Sequence, residues 1–132
     1  MRKGVWLAAV VSVCLASSAH AERPSDFFST MTKTASASGT QTDAALWTVT
    51  TGKRIVLQGV IVCAAVPVTG VEIEEDDNTD VIPPFNVESY GCKTFSAGNS
   101  ALWMGDQDES LTYTVAVAGG VVSITAWGYE AQ

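Results

Sequence analysis

The sequence predicts an all-β fold: an antiparallel β-sandwich, jelly-roll-like, with an immunoglobulin-like sandwich as the alternative. Three observations point there. From Ala45 onward, short runs rich in Val, Ile, Thr and aromatic residues are separated by Gly, Pro, Asn and Asp turns. No stretch of 10 residues beyond Thr42 repeats its apolar positions at helical spacing. The last two runs alternate strictly, with Leu111, Tyr113, Val115 and Val117 and then Val122, Ile124 and Ala126 set against Thr, Ser and Ala neighbours. A chain of 132 residues has room for one core of ordinary size.

The N-terminus reads as an export signal. Met1-Arg2-Lys3 is a short positive start, Val5 to Ala16 is apolar apart from Ser12, and Ala19-His20-Ala21 is a small-x-small cleavage pattern. The apolar stretch is too short to cross roughly 30 Å of hydrocarbon as a helix, and no apolar stretch of spanning length follows it, so no membrane insertion is expected after cleavage. Cys14 follows Val11-Ser12-Val13, a poor lipobox. The expected division is a signal peptide over residues 1–21, a Ser/Thr-rich leading segment over 22–43 and a β-sandwich domain over 44–132. Ser29 to Thr42 (STMTKTASASGTQT) buries little side chain, so the leading segment is expected to be loosely attached, with Phe27 and Phe28 as its pins. The protein is expected to be secreted, periplasmic or extracellular.

The strands are expected in order. Leu46 to Thr50 forms the first and turns at Thr51-Gly52-Lys53. Arg54 to Ala65 (RIVLQGVIVCAA) is a long strand with a bulge or close backbone contact at Gly59. Ile55, Leu57, Ile61 and Cys63 share its inward face on a simple period of two. Val71-Glu72-Ile73-Glu74 alternates apolar and acidic like an outer strand. Pro83-Pro84 marks a sheet edge or a crossing between sheets. Phe85 to Tyr90, Cys92 to Phe95 and Ala101 to Met104 follow. Gly119-Gly120 fits a two-residue primed turn, predicting a hairpin between the last two strands.

Charge and cysteine usage narrow the function. Seven Lys+Arg against 14 Asp+Glu give a net charge of -7, which leaves no basic face for nucleic acid. Cleavage after Ala21 removes Arg2, Lys3 and His20, the only histidine, and leaves 5 basic groups against 14 acidic ones. A chain without histidine cannot build a Ser-His-Asp triad or a His-ligated zinc site. Cys63 and Cys92 survive, and in an exported domain they are expected to form one disulfide; two free thiols or an intermolecular bond are the alternatives. No cofactor is expected.

Two constellations bear on binding. Glu72, Glu74, Glu75, Asp76, Asp77 and Asp80 place six carboxylates within nine residues. Asp76-x-Asn78-x-Asp80 repeats the first three ligand positions of an EF-hand loop, but Val81 stands where Gly is needed and Val87 where the bidentate Glu belongs. A solvated acidic loop is the expectation, and a Ca²⁺ site of another type on Asp76, Asn78 and Asp80 is the alternative. Trp47, Trp103, Trp127, Tyr90, Tyr113 and Tyr129 raise carbohydrate stacking against the simpler reading of core packing. Trp127 and Tyr129 fall opposite Val122 and Ile124, so they face outward and, with Trp103, are the candidate interaction residues.

Three stretches carry a resemblance: Thr51 to Val62 (TGKRIVLQGVIV), Gly98 to Leu102 (GNSAL) with Glu109 to Thr112 (ESLT), and Ser123 to Glu130 (SITAWGYE). Together they resemble small jelly-roll structural domains of phage virion and tail proteins and of uncharacterised bacterial exported proteins. The resemblance covers roughly Leu46 to Glu130. It implies a structural or attachment domain, often oligomeric, and carries over no catalytic residue. The export signal and the expected disulfide depart from the virion pattern and favour a cell-derived exported protein. The expected function is that of an exported, non-enzymatic structural or interaction domain that self-associates as a homo-oligomer. The alternative is a carbohydrate-binding module, Ca²⁺-assisted, with a glycan or cell-surface partner.

Overall fold

A computed structural model describes residues 30–132 apart from Asp77. The expected signal peptide and the start of the leading segment, with Phe27 and Phe28, lie outside the described residues. Among the described residues nine strands follow one another: β1 Met31–Ser38, β2 Gln41–Trp47, β3 Arg54–Ala64, β4 Val68–Glu75, β5 Asp80–Val87, β6 Gly91–Ser96, β7 Trp103–Met104, β8 Leu111–Ala118 and β9 Val121–Ala131. Among the described residues there is no helix.

All pairings are antiparallel, and they make two sheets. The first runs β1-β9-β3-β6, with β7 also on β3; the second runs β2-β8-β4-β5. β6 pairs with β3 over Gly59 to Ala64 and β7 continues along the same edge at Val56 and Leu57, so the two are one edge strand broken by residues 97–102. The pairs β1·β9, β2·β8, β3·β6/β7 and β4·β5 form one long antiparallel ribbon. That ribbon wraps on itself through β3·β9 and β4·β8. This is the jelly-roll order, two four-strand layers enclosing one core.

The core lies between the sheets. Val122, Ile124 and Ala126 of β9 meet Val68, Val71 and Ile73 of β4 and Leu111, Tyr113 and Val115 of β8, all buried. β3 contributes through a change of phase. Ile55 and Leu57 point inward, and then Val60, Val62 and Ala64 do. Between Leu57 and Gly59 the register against β9 slips by one residue. A bulge of this kind moves every later side chain to the other face. The bulge expected at Gly59 is present, but its consequence corrects the expected inward face: Ile61 and Cys63 are half-buried on the outside. A Cβ on Gly59 would lie 2.1 Å from Cζ2 of Trp127, and one on Gly128 would lie 2.1 Å from the Val56 carbonyl oxygen. Both glycines let β3 and β9 close at the bulge.

Three further expectations are corrected. β8 and β9 are not a hairpin: they lie in different sheets, and Gly119-Gly120 crosses between them. Neither glycine has the positive φ that a primed turn requires. Residues 31–43 are not loosely attached, because β1 pairs with β9 along its whole length and β2 pairs with β8. The Ser/Thr composition hid a period of two, with Ala35 and Ala37 turned to the core and Thr32, Thr34, Ser36 and Ser38 exposed. β4 is not an outer strand either: it lies between β8 and β5, and its alternation turns Val71 and Ile73 to the core and Glu72 and Glu74 to the opposite face, where Glu72 is half-buried and Glu74 buried. Pro83 and Pro84 do lie in the edge strand β5.

Cys63 and Cys92 are bonded and are direct cross-strand partners on β3 and β6, within one sheet. The bond closes a separation of 29 residues. Replacing both cysteines by serine is expected to lower stability by about 3–4 kcal/mol in chemical unfolding, as loop-closure entropy requires. No loss would mean that the two strands are held as firmly in the unfolded ensemble. Gly128→Ala is expected to cost about 3 kcal/mol or more, because a carbonyl fixed inside the sheet cannot yield. Gly59→Ala should cost less, about 1–2 kcal/mol, since the indole above it can swing outward. The reverse ranking would contradict the described closure of β3 on β9.

Candidate functional site

The outer faces of the two sheets have opposite chemistry. On the first sheet, register rows run across four strands: Thr32, Trp127, Gly59, Ser96; Thr34, Thr125, Ile61, Thr94; and Ser36, Ser123, Cys63, Cys92. These rows contain no charged residue. The Thr34 and Thr125 hydroxyls lie 3.2 Å apart. The charged residues of β1 and β6 take the other parity, and the Nζ atoms of Lys33 and Lys93 sit 5.9 and 5.8 Å from the ring centroids of Trp47 and Phe85.

The aromatic candidates separate. Trp127 and Tyr129 are half-buried on this outer face, as expected, with Trp127 seated on Gly59. Trp103 pairs with the core residue Leu57 and packs against the core, so the structure does not bring it to them. Trp47 and Tyr113 are buried. Tyr90 is the exposed one, at 90% of its surface, and holds φ of 52° in the turn before β6. With Val121, Ser123 and the disulfide it lines a shallow open depression at one end of the first sheet.

The second sheet carries the acids. Glu72 and Glu74 are two apart on β4, so they share a face, and Glu74 is the register partner of Asp80 on β5. Carboxylate oxygens of Glu72, Glu74 and Asp80 lie within 4.8 Å of one another. Oxygen donors in such a set suit a hard divalent cation or a shared proton. The hydrogen bond with Glu72, then burial, then the charges of Glu72 and Asp43 push the Glu74 carboxyl up to about 7. The sequence triplet Asp76, Asn78 and Asp80 is not the group that assembles. The Asp76 carboxylate instead accepts the Ser110 N–H at 3.1 Å, and the Asp76 N–H donates to the Ser110 carbonyl at 3.1 Å. Asn78 takes φ of 64° and its N–H donates to the Glu75 carbonyl, closing the β4–β5 turn.

A third constellation was not visible in the sequence. The Trp47 indole N–H donates to Glu130 Oε1 at 3.1 Å, and the Thr50 N–H donates to the same oxygen at 3.3 Å. Burial alone would raise the Glu130 carboxyl, but the bonds from Thr50 and Trp47 and the Lys53 charge outweigh it and hold it below the ordinary range. The bond ties the end of β2 to the end of β9, across the two sheets. Its residues are 83 apart, so only the tertiary fold could reveal it.

No protein-family model, curated protein or solved structure matches the chain.

The acidic face predicts a pH dependence. Folded Glu74 holds its proton up to about 7, whereas its ordinary value is 4.5. The stability this contributes is fully present below 4.5 and is lost as pH rises through about 7. Melting temperature is expected to fall across that window, and Glu74→Gln, which keeps a neutral side chain, should flatten the fall. A slope unchanged in that variant would remove Glu74 as its source.

Proposed function

We propose that this protein is an exported, non-enzymatic structural or interaction domain that acts by self-association. The observation that carries the reading is the contrast between the two outer faces. On a chain of net charge -7, the acids gather on the second sheet while three rows of the first sheet hold only hydroxyl, aliphatic, disulfide and aromatic groups. Copies of an acidic chain repel one another least where charge is absent. Export is supported by the signal-like first 21 residues and by a disulfide suited to an oxidising compartment. The non-enzymatic reading is supported by a chain with no histidine beyond residue 20, which leaves the three gathered carboxylates without the partner that a triad or a His-ligated zinc site requires.

Light scattering at roughly tens of micromolar, where a micromolar interface is populated, is expected to give a mass above that of one chain. A strict monomer there would overturn self-association. Glycan-array binding that disappears in Trp127→Ala would move the reading to a carbohydrate-binding module.

A further inference from the structure

We infer that two copies of the chain join edge to edge through β1, running antiparallel across a two-fold axis, so that the first sheet continues from one copy into the next. The inference rests on the self-association proposed above and names its seam.

Among the described residues four strands form the sheet edges, and three of them are interrupted. β2 is broken by register shifts between Gln41 and Ala44 and between Ala45 and Trp47, with Asp43 at φ of 47°. β5 carries Pro83 and Pro84, three register shifts against β4, and Asp80 beside Glu74. The β6/β7 edge is split by residues 97–102. Such features block the addition of a strand. β1 has none of them. Its eight residues pair with β9 from Met31 to Ser38 without a shift and include no proline. Its one charge, Lys33, lies near its start and covers the Trp47 ring from the inner side. Residues 30–42 contain no acid.

The occupant that fits is a second copy. In an antiparallel pair, residues directly opposite each other share a face. Every register of β1 on β1 that keeps its faces aligned therefore sets Thr32, Thr34, Ser36 and Ser38 against the same residues of the second copy. The β1·β9 pairing already uses this chemistry, with the Thr34–Thr125 hydroxyl contact and Ser36 opposite Ser123. A two-fold seam would extend the uncharged rows across both copies and leave each acidic second-sheet face toward solvent. It would also be closed, because each copy offers one such edge.

The test uses protein produced from the full-length sequence. Thr34→Lys with Ser36→Lys places like charges opposite each other at the seam, while both positions are exposed in the single copy. The double variant also lowers the overall negative charge, so a non-specific association would strengthen. The expected result is an association midpoint raised at least about tenfold, with an unchanged melting profile at low concentration. Thr94→Lys, on the same face at the far edge, should leave the midpoint unchanged. Hydrogen exchange should slow in residues 31–38 as concentration rises through the midpoint, and not in residues 91–96. Wild-type association that persists in the double variant but fails in Thr94→Lys would overturn the seam in favour of face-to-face stacking. A wild-type chain that stays monomeric would overturn the self-association reading itself.

Discussion

The closure of β3 on β9 governs what this molecule shows to solvent. These strands lie side by side in the interior of the first sheet, and their register slips once, between Leu57 and Gly59. Before the slip, odd-numbered residues of β3 enter the core; after it, even-numbered ones do. The slip puts Val60 and Val62 inside and displays Ile61 and Cys63, and with Cys63 the disulfide, on the outer face. Gly59 and Gly128 make it possible, because any side chain at either position would collide across the strand pair. A bulge is a local defect in the ladder, yet here it determines the composition of a whole surface.

That surface and its opposite share the chain's polar residues unequally. One sheet presents hydroxyls, a disulfide and two half-buried aromatics; the other presents Glu72, Glu74 and Asp80 with Asp43 beside them. On the acidic face, the bond with Glu72, burial and the charges of Glu72 and Asp43 favour the protonated form of Glu74. Between the sheets, the Trp47–Glu130 bond works in the opposite sense: an ionised carboxylate is held by two N–H donors and a nearby lysine. One carboxyl is thus favoured neutral and another charged, each by its immediate neighbours.

Much of this architecture is legible in the sequence, and the parts that are not share a cause. The two-sheet fold, the disulfide pair and the outward turn of Trp127 and Tyr129 follow from period-two alternation and cysteine usage. The bulge at Gly59 was also legible, but not its effect on Ile61 and Cys63, because a phase change depends on which partner strand slips. The strand β1 was hidden by composition: Ala35 and Ala37 bury little, and the pairing with β9 that holds the strand leaves no mark in the local pattern. The apparent β8–β9 hairpin failed because alternation reports a strand and not the sheet it joins. The same limit explains the acidic site. Glu72 and Glu74 share a face by local spacing, whereas Asp80 joins them only through the β4·β5 register, and Asp76 leaves for Ser110.

The central claim, that the β3–β9 slip under Trp127 determines the faces of the first sheet, can be read from the Gly59 Hα protons. The indole lies against the side of Gly59 where a Cβ would stand, so one Hα sits in the shielding region of the ring. In NMR spectra of the folded protein that proton is predicted to be shifted strongly upfield of its geminal partner, and the shift should vanish in Trp127→Ala. Two Gly59 Hα resonances at ordinary positions, unmoved by that substitution, would contradict the account.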